Sequence, residues 1–100
     1  MAKKVTWAFI FLNPECDPEV DKMEMMHEGN RLLICGTANF EQGMAVARKM
    51  MEEENCVLIE LCGGDGEEGA QKIIEAVDGK IPVGYVTYPA SEIPKLSILD

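Results

Sequence analysis

The sequence predicts an α/β fold: one small domain over residues 1–100, with a mostly parallel four- to five-stranded sheet around a β-α-β-α-β core. Three observations lead there. Apolar segments at 5–12, 32–36, 56–62 and 83–88 carry hydrophobic side chains on both alternating faces, the pattern of central strands covered on two sides. Two helix-period segments separate the last three of them, which implies parallel pairing through right-handed crossovers. No repeat, low-complexity stretch or linker interrupts the 100 residues, a length that fits one compact domain.

In the first strand, Val5, Trp7, Phe9 and Phe11 share one side and Ala8, Ile10 and Leu12 the other. Lys3-Lys4 followed by this apolar run resembles the start of a secretory signal. The next residues, Asn13-Pro14-Glu15-Cys16, offer no small-x-small cleavage site, and the run is rich in aromatic and β-branched residues. Residues 20–28 admit two readings. As a helix, Asp17 caps, Pro18 takes the first position and Gly29 stops it, with Val20, Met23 and Met26 inward. As an antiparallel hairpin strand, Met23, Met25 and His27 alternate with Lys22, Glu24 and Met26, and Gly29-Asn30 forms a two-residue turn.

The first clear helix starts at Asn39, an N-cap with Gln42 three residues on, and repeats apolar residues at Phe40, Met44, Ala47 and Met51. Its end at Glu52-Glu53-Glu54 opposes the negative pole of the helix dipole. The second runs from about Gly66 to Val77, with Ala70, Ile73, Ile74 and Val77 on one face and Gly79 as its stop. Beyond Pro89, Pro94 and scattered Ile93, Leu96, Ile98 and Leu99 predict a segment, 89–100, lying over a neighbouring surface.

Composition narrows the function classes. Lys and Arg number 9 against 18 Asp and Glu, a net charge of −9, and no basic cluster exceeds Lys3-Lys4. Nucleic acid and anionic membrane surfaces are therefore excluded as partners. No apolar run approaches the ~20 residues that span a bilayer. The four cysteines, Cys16, Cys35, Cys56 and Cys62, show no C-x-x-C spacing, and three lie in or beside apolar strands. A cytoplasmic protein with free thiols is the simplest expectation. His27 is the only histidine, so no metal site is expected.

The chemistry concentrates at Glu60-Leu61-Cys62-Gly63-Gly64-Asp65-Gly66, where a strand ends in glycines and a helix begins. Such turns are where open α/β proteins place ligands. The stretch 64–69 satisfies G-x-G-x-x-G. Asp65, Glu67 and Glu68 nevertheless bring three negative charges to a pole worth about half a positive one. Each would oppose a phosphate ~6 Å away by about 3 kcal/mol at an effective dielectric of 20, so a phosphate cradle is disfavoured. Asp65 and Glu68 instead fit a capping box.

Glu60 interrupts an apolar strand expected to be covered on both faces. An unpaired carboxylate there costs several kcal/mol, so it is paired with Arg31, Lys80 or the Tyr85 hydroxyl, protonated, or open to a cavity. At a pocket mouth it would act as hydrogen-bond acceptor or general base, and Cys62 as a nucleophile if the helix dipole activates it.

The motif Glu60-Leu61-Cys62-Gly63-Gly64-x-Gly66, with Gly69, Pro82-Val83-Gly84-Tyr85-Val86, Trp7-Ala8-Phe9-Ile10 and Asp17-Pro18, resembles an uncharacterised prokaryotic family of small α/β proteins, a domain of unknown function. The resemblance spans nearly the whole chain. It implies the fold, implies the hairpin reading of residues 20–28, and carries no activity. At position 65 the family motif has Phe where this chain has Asp, which weakens the transfer of a ligand contact there.

Three functions follow as expectations. One is a small-molecule-binding module, taking a small polar metabolite at Glu60, Cys62, Gly63, Gly64, Asp65 and Gly66. Another is a small enzyme using Glu60 as general acid/base, with Cys62 or His27. The third is an oligomerisation protein with no ligand. If the strands follow in sequential order, both helices fall on one sheet face and the other needs a partner, so a homodimer is expected.

Overall fold

The computed structural model describes residues 5–100; the Lys3-Lys4 pair lies outside them. Strands β1 (Val5–Leu12), β2 (Lys22–Met26), β3 (Asn30–Thr37), β4 (Ile59–Leu61) and β5 (Val83–Tyr85) form one sheet in the order β2-β3-β1-β4-β5. All neighbours are parallel except β2, which pairs antiparallel with β3 at one edge. Helices α1 (Phe40–Glu54) and α2 (Gly66–Ala76) connect β3 to β4 and β4 to β5, and a 3-10 helix covers Ile93–Leu99.

Residues 20–28 are the hairpin. The turn is Glu28-Gly29 rather than Gly29-Asn30: the His27 N–H donates to the Asn30 carbonyl at 2.8 Å, and Met26 pairs with Arg31. The third and fourth parallel strands are shorter than the apolar runs that announced them. Residues 56–58 and 86–88 lie outside the strands, although Val57 donates to the Thr6 carbonyl, Leu58 accepts from the Ala8 N–H and Val86 donates to the Leu61 carbonyl.

Helix α1 starts as expected. The Asn39 side chain accepts from the Gln42 N–H at 2.8 Å, and Gln42 Oε1 accepts from the Ala38 N–H at 2.7 Å. The helix stops at Asn55, which takes a left-handed conformation at φ 57°, while the Cys56 N–H donates to the Met50 carbonyl. Its acidic end is answered from the side chains: Arg48 pairs with Glu52, and Arg31 with Glu54 and Glu24. Arg48 also donates to the Ala76 carbonyl at 2.8 Å and meets Asp78, which ties α1 to the end of α2.

Both crossovers step across the sheet in the same direction, so both helices cover one face. That face supplies the core: Ala8 and Ile10 of β1, Leu33 and Cys35 of β3, and Ile59 and Leu61 of β4 pack with Ala47, Met50, Ala70, Ile73 and Val77. The expectation that β1 is covered on both sides is corrected here. Register and alternation place Trp7, Phe9 and Phe11, Leu32 and Ile34, Met23 and Met25, Glu60 and Gly84 together on the other face, which carries no helix. Trp7, Phe9, Leu32 and Ile34 are half-buried by one another, whereas Phe11 is 44%, Met23 59% and Met25 46% exposed.

Candidate functional site

The parallel strands bring the ends of β1, β3, β4 and β5 to one edge of the sheet, with the 62–66 loop among them. Thr37, fully buried, donates its hydroxyl to the Phe11 carbonyl at 2.8 Å, and the Asn13 N–H donates to the Thr37 carbonyl at 2.8 Å. These bonds fasten β1 to β3 where the loop meets them.

The loop itself is closed from within. Cys62 Sγ accepts the Leu12 N–H at 3.2 Å, and its thiol points to Asp65 Oδ2 at 3.5 Å. Asp65 is only 7% exposed. Its carboxyl is pushed above the ordinary 3.8 by burial, against the smaller opposing effect of the Cys62 hydrogen bond. The expected capping box is absent. Asp65 sits at the N-cap of α2 in a helical conformation, with no cap bond from its side chain, because that side chain is turned inward to Cys62. Gly69 makes room for it: a Cβ there would lie 2.8 Å from Asp65 Cβ and 3.0 Å from the Phe40 ring. Gly66 opens the helix at φ +61°, a conformation other residues rarely adopt. Glu67 and Glu68 lie exposed on the first turn, where they suit the helix dipole.

Glu60 stands apart from this corner. It lies on β4 between Phe9 and Gly84 on the helix-free face, and it is exposed. The buried acid inferred from the strand pattern is therefore not Glu60. Among the described residues no hydrogen bond or ion pair reaches its side chain; Arg31 belongs to the other face and is taken by Glu24 and Glu54. Because residue 84 has no side chain, a shallow depression of about 450 Å³ opens beside Glu60, lined by Leu58, Pro82, Val83, Tyr85 and Val86.

His27 is exposed in the hairpin turn, and no group of three His, Cys, Asp or Glu side chains able to hold a metal exists among the described residues. No helix among them is long and apolar enough to cross a membrane. Two features escaped sequence reasoning. Phe40 and Leu12 help build the Cys62–Asp65 corner from distant segments, and a cleft of about 540 Å³ opens between α1 and the hairpin, floored by Leu33, Cys35, Val46 and Met50. The Arg31–Glu24–Glu54 bridge spans that cleft from hairpin to helix. Only the alternation of β2 with β3 pointed to it.

The family model of DUF6506, described as a family of unknown function, matches residues 5–100. The chain belongs to the DUF6506 family. No curated protein and no solved structure matches it. Within this DUF6506 chain the family match covers the described β-strands, both helices and the 3-10 segment.

Proposed function

We propose that the protein works as a homo-oligomer, a dimer at its simplest, in which a second copy covers the helix-free sheet face. One observation carries this reading: the face is apolar across β1, β2 and β3 and bears a single carboxylate, Glu60 on β4, at its strand positions. Five strands ~4.8 Å apart, at ~3.3 Å per residue, make a face on the order of 400 Å², of which β1, β2 and β3 give the apolar part. An apolar patch of a few hundred Å² is in the range of the largest patch on a monomer, and such a patch is often an interaction site. Covered by its equal, it would bury about 800 Å² in total, and segments outside the sheet would supply the rest of the ~1,000 Å² a specific interface clears. Equilibrium sedimentation tests this, with association at micromolar concentration expected. A monomer throughout that range would overturn it.

A second reading is favoured by the depression beside Glu60: a binding module that holds a small polar ligand there. Cys62, Gly63, Gly64, Asp65 and Gly66 then shape the loop at the edge of the site, since the Cys62 thiol and Asp65 carboxyl are engaged with each other. A ligand with an amine or hydroxyl donor suits the unpaired carboxylate. A general acid/base role has less support, because no cation or thiol lies within hydrogen-bond reach of Glu60 among the described residues. Thermal-shift screening of small amines and polar metabolites against wild type and Glu60→Gln tests this reading. At hundredfold excess over Kd, wild type alone should gain roughly 10 °C. Equal shifts in both proteins would remove Glu60 from the site.

A further inference from the structure

The segment after β5 presents a second unpartnered apolar surface. None of the 3-10 residues Ile93–Leu99 is buried; Ile98 is 86% and Leu99 81% exposed. Three-residue periodicity aligns Ile93, Leu96 and Leu99 in one ridge, with Lys95 and Ile98 in the row beside it. Seven residues at ~2.0 Å rise make a rod about 14 Å long, the width of three strands. Runs of this helix type beyond three or four residues are uncommon, and so short a helix gains its stability from packing.

The two surfaces are complementary in charge as well as in character. The helix-free face is apolar with one carboxylate, Glu60. The 3-10 segment is apolar with one cation, Lys95, whose present partner is Glu92 three residues away on an exposed surface. An exposed pair of that kind holds its partner weakly.

We propose that the 3-10 segment of a second copy is the occupant of the helix-free face, its Ile93-Leu96-Leu99 ridge seated on Trp7, Phe9 and Ile34 and its Lys95 paired with Glu60. Reciprocal exchange of the segments gives a closed two-fold dimer, in which the same two patches are used on both subunits. The inference rests on the self-association reading above, and names the part of the partner that makes it.

Sedimentation equilibrium on wild type and on a chain ending at Tyr88 tests it, with Trp7 fluorescence followed in both, since Trp7 is the only tryptophan. The shortened chain keeps every core residue, so it should still melt in one cooperative transition with nearly wild-type far-UV signal, at a lower temperature that reflects the lost dimer. Wild type should be dimeric, the shortened chain monomeric, with Trp7 emission shifted to the red. Glu60→Lys and Lys95→Glu should each weaken the dimer at least about tenfold, and the double variant should restore most of that loss. A shortened chain that still dimerises overturns the inference while leaving self-association standing. Monomeric wild type whose Trp7 emission moves on shortening assigns the face to the chain's own segment and overturns the exchange. Monomeric wild type with unmoved emission removes both readings. Loss of the dimer on shortening, with neither charge variant altering Kd, overturns the Glu60–Lys95 pairing.

Discussion

The two faces of the sheet start from similar strand sequences and end in different environments. On the covered face, Ala8, Ile10, Ile59 and Leu61 are fully buried under two helices. On the other, Trp7, Phe9, Leu32 and Ile34 shield one another and Phe11, Met23 and Met25 face outward. Hydrophobicity therefore does not separate them, and the larger aromatic side chains lie on the uncovered side. What separates them is the direction of the crossovers. Apolar content marks a surface that needs covering, and topology decides whether the same chain supplies the cover.

Truncation of matched residues tests that contrast most strongly. Leu61→Ala should cost about 3 kcal/mol, as buried leucines do, whereas Phe11→Ala should cost under about 1 kcal/mol in dilute solution and more as concentration rises. Urea titrations at two protein concentrations measure both. Equal, concentration-independent costs would mean that Phe11 is covered within one chain.

The corner at the strand ends offers the next effect. Gly69→Ala should destabilise by about 1–3 kcal/mol through the clash with Asp65 and Phe40, although alanine is the better helix former by up to about 1 kcal/mol. A stabilised variant would show that Asp65 is free to turn outward.

The smallest effects compare two carboxylates, one on each side of this divide. Glu60→Gln should change dilute-solution stability by no more than about 0.5 kcal/mol, because the side chain is exposed and has no partner among the described residues. Asp65→Asn should raise the melting temperature at pH 7. Burial raises the Asp65 pKa in the folded state, so the folded protein binds the proton more tightly and ionisation costs stability. That cost is fully present above the folded pKa and vanishes as pH falls through the ordinary 3.8, so the two proteins should converge in acid. Melting curves between pH 3 and pH 8 check the sign, and a gap that widens in acid would refute it.

Much of the architecture was legible in the residues. Asn39 with Gln42 marked the start of α1, Gly79 the stop after α2, and the alternation of Met23 and Met25 with Lys22 and Glu24 the edge strand. The reading failed where it needed to know what lay above a side chain. Glu60 stood out as a charge in an apolar strand, yet it is exposed; Asp65 looked like a helix cap, yet it is the buried acid. Local sequence cannot distinguish these cases, since the corner that takes Asp65 is completed from outside its own element, by Phe40 of α1 beside Gly69 and by Leu12 of β1, which holds Cys62.

The sequence by itself determined the alternation of each strand, the helix boundaries and the parallel β-α-β-α-β order, because these depend on periodicity and on backbone groups a few residues apart. Only the tertiary structure decided which alternating set became core. Residues 17–30 had the composition for a helix that could have covered the second face. Pairing as β2 on the edge of β3 placed them in the sheet plane instead, and the two remaining helices, carried the same way by successive crossovers, left Trp7, Phe9, Phe11 and Glu60 uncovered.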